Sequence, residues 1–212
     1  MNNNIEEVYE HSIIPSIINK NGWILDLGCV NFKFYNHMLQ YTNNVVCVDA
    51  NPNIEDVPEG CEFINSAVVP NNDIKEIQFF MYEDKNGNSL YLNPSDYCPV
   101  REVIKVPCVT INDIMIKYGI KQFELIKFDI EGGEYDILQS LDWKISKQYS
   151  IEFHDFRNFN KDAQFYEKFN NSLLPYCDIV KHEKTHHPGF PYGRGYNYWD
   201  SLFILKKEFW IN

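Results

Sequence analysis

Apolar residues come in short blocks, and the spacing within each block sets the element it predicts. Stretches 23–25, 45–48, 62–64, 123–128, 149–153, 176–180 and 202–205 are brief, mostly apolar runs bounded by turn residues. They read as strands. Residues 32–41 carry helical spacing, as do 111–118, with Thr110 placed to cap that helix and Gly119 to end it. Residues 160–174 put Phe165, Phe169, Leu173 and Leu174 on one helical side. Residues 1–21, with Ile13, Ile14, Ile17 and Ile18 apolar and Pro15 interrupting, read as an amphipathic N-terminal helix. Strands alternating with helices predict a parallel, doubly wound sheet.

Two stretches break that rhythm. Residues 77–82 and 89–92 flank Asn86-Gly87, a strong hairpin signal, and 103–108 reads as another strand. A small antiparallel excursion is expected there, at the sheet edge or over one face. Residues 186–199 are rich in Gly, Pro and aromatics, the composition of a long irregular loop. No repeat or linker is visible, so one domain over 1–212 is expected.

Composition narrows the function. The chain has 212 residues, 44% of them apolar, and a formal charge of -11. That length supports a real core, and the acidity disfavours a nucleic-acid partner or an anionic membrane surface. No apolar run approaches the ~20 residues of a membrane span. The six cysteines form no CxxC pair, and the N-terminus is polar and acidic, so an intracellular, cytoplasmic setting is expected.

The chemistry concentrates after the strand at 123–128. Asp129, Glu131 and Glu134 surround Gly132-Gly133, and a helix pattern with Tyr135, Ile137 and Leu138 follows. Three carboxylates in six residues repel one another unless they meet a cation, a metal or a proton to be moved. A solvated turn, with acids favoured by a helix N-terminus, is the plainer alternative. Asp26 and Gly28 end the first strand of the sheet, but GxGxxG is absent, which argues against a pyrophosphate at that turn. Asp49 ends the next strand, where an acid can accept hydrogen bonds from both ribose hydroxyls. Together they describe a nucleoside pocket without a phosphate cradle, which suits S-adenosylmethionine. His182 and His186 match HExxH, but Pro188-Gly189 leaves no room for the helix a zinc peptidase needs. Arg194, with Phe190, Tyr192, Tyr196, Tyr198 and Trp199, forms a candidate lid or sugar-stacking platform, or simply a packed surface loop.

These residues resemble the FkbM-type family of S-adenosylmethionine-dependent methyltransferases. The strongest match runs over 108–154, where Lys127, Asp129, Glu131, Gly132 and Glu134 follow K-x-D-x-E-G-x-E and Glu152 and His154 follow E-x-H. ILDLG at 24–28, VVCVDANP at 45–52 and NSAV at 65–68 match more weakly. The family's D-x-G-A-N-x-G turn reads Asp26-Leu27-Gly28-Cys29-Val30-Asn31-Phe32 here, without the second glycine. The resemblance implies a Rossmann-like class I methyltransferase fold, α/β, with an antiparallel last strand. It also implies O-methylation of a small hydroxylated acceptor, often a sugar or natural-product unit. Asp26 and Gly28 would line the methionine part of the cofactor, Asp49 the ribose, Asn65 and Ser66 the adenine, and Asp129 the transferred methyl.

For the chemistry, His154 is the first candidate general base and Asp129 the second. Glu131, Glu134, Glu152, Arg194 and Tyr196 are candidate acceptor contacts. Asp129 with Glu131, Glu134 or Glu152 could instead hold Mg²⁺. Lys127 reads as a partner neutralising the acids. Two other readings stand beside the methyltransferase: a non-catalytic carbohydrate- or partner-binding module on the same fold, and a metal-dependent hydrolase using His182 and His186. Oligomeric state is open.

Overall fold

A computed structural model describes residues 4–83, 88–90, 99–154, 169, 171–186 and 197–211. Its elements in chain order are β1 (Glu6–Val8), β2 (His11–Ile13), β3 (Trp23–Leu27), α1 (Lys33–Met38), β4 (Val45–Asp49), β5 (Glu62–Asn65), β6 (Ala67–Val68), β7 (Glu76–Tyr82), β8 (Val100–Val109), α2 (Ile111–Tyr118), β9 (Phe123–Phe128), α3 (Glu134–Leu138), β10 (Gln148–His154), β11 (Cys177–His186) and β12 (Asn197–Leu205).

Seven strands make the main sheet in the order β11-β12-β10-β9-β3-β4-β5. Pairings among β10, β9, β3, β4 and β5 are parallel, and β12 runs antiparallel to both its neighbours. This is the expected class I methyltransferase arrangement with its reversed last strand. From β3 the chain builds outward through β4 and β5, then returns to place β9 on the other side of β3. The carboxyl ends of β3 and β9 therefore form the switch point, where open α/β sheets bind ligands.

The inner strands are apolar because both faces are covered. Leu25, Leu27, Val46, Val48, Ile126 and Phe128 pack against Ile111 and Ile114 of α2 and Tyr135, Ile137 and Leu138 of α3. The alternate residues Ile24, Val45, Cys47 and Leu125 pack against Phe34, Tyr35 and Met38 of α1 and against Val8 and Ile13. Helix α2 starts as its sequence predicts: Thr110 and Asp113 cap each other's backbone N–H, and Gly119 closes it in the left-handed region at φ 66°.

The N-terminal helix expected over 1–21 is not formed. Strands β1 and β2 pair as a hairpin turned by Tyr9 and Glu10, both left-handed at φ 47° and 68°, and Pro15–Ile17 is a single 3-10 turn. Tertiary contacts override the helical spacing. Ile13 and Ile14 are fully buried, and the Gln148 side chain accepts from Ile14 N at 2.9 Å and donates to Ile14 O at 3.3 Å. Gln148 thus satisfies backbone groups that a helix would have satisfied internally.

The excursion is present as a three-stranded sheet, with β7 antiparallel and β6 parallel to β8. Phe80 and Ser89 exchange backbone hydrogen bonds of 2.8 and 3.1 Å, which brackets the hairpin, although Asn86-Gly87 and Leu92 lie outside the described residues. Strand β8 begins at Val100 rather than 103, and β11 continues to His186 rather than ending at 180. Of the helix expected over 160–174, positions 169 and 171–174 are described; 169 and 171–173 are helical, and Leu174 lies in the turn that follows. Among the described residues no helix is long and apolar enough to cross a membrane.

Candidate active site

The two strand ends at the switch point touch through backbone. Asp129 N donates to Leu27 O at 3.1 Å, and Gly28 N donates to Val48 O at 2.9 Å. Gly28 has φ 83°, and a Cβ there would collide with the Asp129 carbonyl oxygen, so the turn requires glycine. Four residues on, where the family turn carries its second glycine, Phe32 itself adopts φ 54°. Its buried ring packs edge-on against Phe63 at 5.7 Å and Tyr35 at 6.3 Å. The left-handed turn survives with a phenylalanine in it, held by aromatic packing on the α1 side of the sheet.

Beneath this turn lies a sealed charge pair. Asp26 of β3 and Lys127 of β9 are register partners. Lys127 Nζ donates to Gly28 O at 2.9 Å and lies 3.1 Å from Asp26 Oδ1 and 3.3 Å from Asp129 Oδ2. Burial works against the Lys127 charge, but Asp26 and Asp129 outweigh it and raise its pKa. The Asp26 contact is an ion pair rather than a well-angled hydrogen bond, and Asp26 Oδ2 has no hydrogen-bond partner among the described residues. Asp26 is wholly buried, so it reaches the cleft through Lys127 rather than by lining it. Asp129 is 28% exposed and is the part of this group that faces outward. Burial would raise its pKa, but Lys127, His11 and His154 hold it below the ordinary carboxylate range.

His154 ends β10 inside a cage of acids. Its Nδ1 is 3.4 Å from Glu134 Oε1, and its Nε2 is 3.5 Å from Glu131 Oε2, 3.6 Å from Glu152 Oε1 and 3.9 Å from Asp129 Oδ1. Burial favours neutral imidazole, but Glu131, Glu134 and Glu152 overcome it and raise the pKa well above its ordinary value. The surrounding carboxylates thus favour the imidazolium form of His154, which runs against a general-base role and suits a group that pairs with the acids.

Glu134 is also placed differently from an acceptor contact. It is fully buried, and its two oxygens accept from Ile130 N and Gly132 N, both at 2.9 Å. It braces the turn from below. That turn contains Glu131 at φ 53° and Gly132 at φ 97°, and Glu131 O accepts from Ser89 Oγ of the excursion at 2.6 Å.

Other acids continue along the same sheet edge. Glu152 sits opposite Asp200, which sits opposite Glu183. Burial, with Asp129 nearby, pushes Glu152 up to about 9, and burial lifts Asp200 to about 7. On the other side, burial lifts Asp49 to about 6, against the Asn51 N–H that its Oδ1 accepts at 2.8 Å. Asn65 Nδ2 donates to Asp49 O at 2.9 Å and Asn51 O at 2.8 Å, and Ser66 N donates to Asp49 O at 2.9 Å. Asp49, Asn65 and Ser66 are thus brought together, with Asn65 tying two strand ends.

His11 was not singled out by the sequence. It comes from the hairpin, which no local pattern announces. Its Nε2 lies 3.5 Å from Asp129 Oδ2 and its Nδ1 3.4 Å from Ser150 Oγ. Burial keeps its pKa below the ordinary imidazole value. Two overlapping groups could hold a metal ion: His11, Asp129 and Glu152, and Asp129, Glu131 and His154. His182 and His186 are not a metal pair of the peptidase kind, since four residues along a strand span roughly 13 Å, and His182 Nδ1 is hydrogen-bonded to Ser201 Oγ at 2.7 Å. Arg194 and Tyr196 lie outside the described residues. A separate cavity of about 350 Å³, lined by Val68, Ile77, Leu90, Gly133 and Ile137, sits under the excursion; none of these acids lines it.

Comparison with known proteins bears on this arrangement. No curated protein matches the chain by sequence. Solved structures with similar folds include a dimethyladenosine transferase from Plasmodium falciparum (11% identity, TM-score 0.49, covering 91% of this chain and 58% of that one). TrmK of M. capricolum in complex with S-adenosyl-homocysteine is another (13%, 0.42, 90% and 65%), as is a SAM-dependent methyltransferase from Anabaena variabilis (11%, 0.44, 89% and 79%). The chain thus spans less than two thirds of the first two. The class I arrangement is given by the strand order β11-β12-β10-β9-β3-β4-β5. The sequence profile of the methyltransferase FkbM domain matches residues 29–180, from the first turn into the start of β11, and by that match the chain belongs to the FkbM methyltransferase family.

Proposed function

We propose that this S-adenosylmethionine-dependent methyltransferase O-methylates a small hydroxylated acceptor, a sugar or natural-product unit, bound over Asp129. The observation that carries the reading is the switch point itself. A glycine turn packs against Asp129 on one side and the Asp49 carboxylate ends the neighbouring strand on the other, which supports a ribose held by Asp49. Asn65 and Ser66 then lie beside the adenine.

When bound, S-adenosylmethionine supplies a methyl group on a sulfonium leaving group. The chain's own residues hold the reactants in line. Asp129 accepts a hydrogen bond from the acceptor hydroxyl and orients its oxygen toward the methyl, and the hydroxyl proton passes to solvent water as the carbon–oxygen bond forms. Lys127 and His154 fix the Asp129 carboxylate from behind. Glu131, a quarter exposed beside it, is the second acceptor contact. Glu152, nearly sealed, lies 3.6 Å from His154 Nε2 and helps hold that ring in place.

The test uses methyl-labelled S-adenosylmethionine with a panel of sugars and hydroxylated small molecules. Label recovered as a base-stable methyl ether supports the reading. Label found only as a methylamine or a base-labile ester overturns O-methylation at a hydroxyl.

A further inference from the structure

We propose that His11, Asp129 and Glu152 form a binding site for one divalent transition-metal ion, of the Mn²⁺ or Fe²⁺ kind. One ligand atom from each lies within 4.8 Å of the other two. Small side-chain shifts would bring atoms this close onto a single ion with bonds of roughly 2.0–2.2 Å. The three residues are far apart in sequence and meet only because the N-terminal hairpin packs over β10.

The surroundings are those of a built ligand set. His11 Nδ1 is 3.4 Å from Ser150 Oγ, and Phe34 stacks edge-on against the ring at 5.7 Å. Those contacts fix the imidazole plane and leave Nε2 facing the carboxylates, the outer-shell arrangement that orients a ligating histidine. A second observation is independent of the cluster. Asp200, directly across from Glu152 and buried, has an Oδ1 with no hydrogen-bond partner among the described residues. The nearby Lys181 does not supply one, being engaged by Glu7 at 2.9 Å and Ser12 at 3.0 Å. An ion at the cluster, carrying a water, gives that oxygen a donor.

Charge points the same way. Lys127 is shared by Asp26 and Asp129, and His154 by Glu131, Glu134 and Glu152, so carboxylates outnumber the cations among these described groups. A mixed imidazole and carboxylate set suits a first-row transition ion, whereas Mg²⁺ prefers oxygen and retained water. The Mg²⁺ option therefore gives way to a different ion with His11 as the added ligand. In the proposed methyltransferase, and resting on that reading, the ion sits on the face of Asp129 where the acceptor hydroxyl arrives and lowers that hydroxyl's pKa.

The experiment strips the full-length protein with EDTA and titrates it with MnCl₂, following free Mn²⁺ by EPR. One bound Mn²⁺ per chain is expected, with affinity lowered about tenfold or more in His11→Gln and Glu152→Gln and unchanged in His182→Gln. Pulsed EPR on the unmutated protein is expected to show nitrogen coupling from an imidazole, which needs no variant to fold. Absence of binding up to millimolar Mn²⁺, coupling to oxygen ligands only, or equal affinity in folded His11→Gln overturns the site. Displacement by an equal concentration of Mg²⁺ overturns the ion class. Titration with S-adenosylhomocysteine in parallel separates the two readings: cofactor binding without Mn²⁺ binding sinks only the metal site, and the reverse sinks only the methyltransferase.

Discussion

Asp26 and Lys127 face each other across two parallel strands with 3.1 Å between Oδ1 and Nζ, and both side chains are almost sealed from water. Such a pair holds because removing either partner strands the other's charge in a low dielectric. Lys127 also bonds the carbonyl of Gly28, so the pair fastens the first turn to the end of β9.

Lys127→Met is expected to destabilise the fold by about 3–5 kcal/mol, since it leaves Asp26 buried without a counter-charge. Asp26→Asn added to it should restore most of that loss, because the stranded charge is gone. Chemical denaturation of both singles and the double variant measures this, and additive losses would show the two residues are not coupled.

Asp49 makes ligand binding depend on pH. Burial raises its carboxyl to about 6 from an ordinary 3.8. The folded protein therefore holds this proton more tightly than the unfolded chain. Its contribution to stability is full below the unfolded value and is lost as pH rises through about 6. A ribose needs the ionised form as acceptor. Affinity for S-adenosylhomocysteine should rise by up to about tenfold per pH unit below 6 and level off above it. Asp49→Asn should bind weakly and without that rise. Calorimetry between pH 5 and 8 tests both.

Glu134→Ala should unravel the acidic turn. It removes the acceptor for two backbone N–H groups and leaves them buried, at about 1–3 kcal/mol each before relaxation. A net loss of about 2–3 kcal/mol corresponds to a melting temperature lower by roughly 4–12 °C for a domain of this size. Differential scanning calorimetry reads it. Glu134→Gln, which keeps one acceptor oxygen, should lose less.

Phe32→Gly sets two effects against each other. It relieves left-handed backbone strain of about 1–2 kcal/mol. It also deletes a buried aromatic ring, which costs about 3–5 kcal/mol. The ring wins, so the variant should be less stable by about 1–4 kcal/mol while its cofactor affinity stays within a factor of about three. A large gain in affinity would mean that Phe32 obstructs the turn instead of forming it.

Much of the frame was legible in the sequence. Strands 45–48 and 123–128 are continuous apolar runs with acids at their ends, and Thr110 with Gly119 marks a helix unambiguously. The acids of the switch point could be read because each closes a strand. The hairpin could not be read. Its turn uses Tyr9 and Glu10 where a pattern would show Asn-Gly, and its stability comes from Gln148, over a hundred residues away. His11 stayed hidden for the same reason. The surroundings of His154 were equally invisible, since they depend on four carboxylates converging from two segments, the stretch 129–134 and the end of β10.

Binding of S-adenosylhomocysteine to the purified protein at pH 7.5, followed by isothermal titration calorimetry, tests the central claim most directly. The account predicts saturable binding at one site per chain, weakened about tenfold or more by Asp49→Asn. No measurable heat or thermal shift up to millimolar ligand, or equal binding by Asp49→Asn, would contradict it.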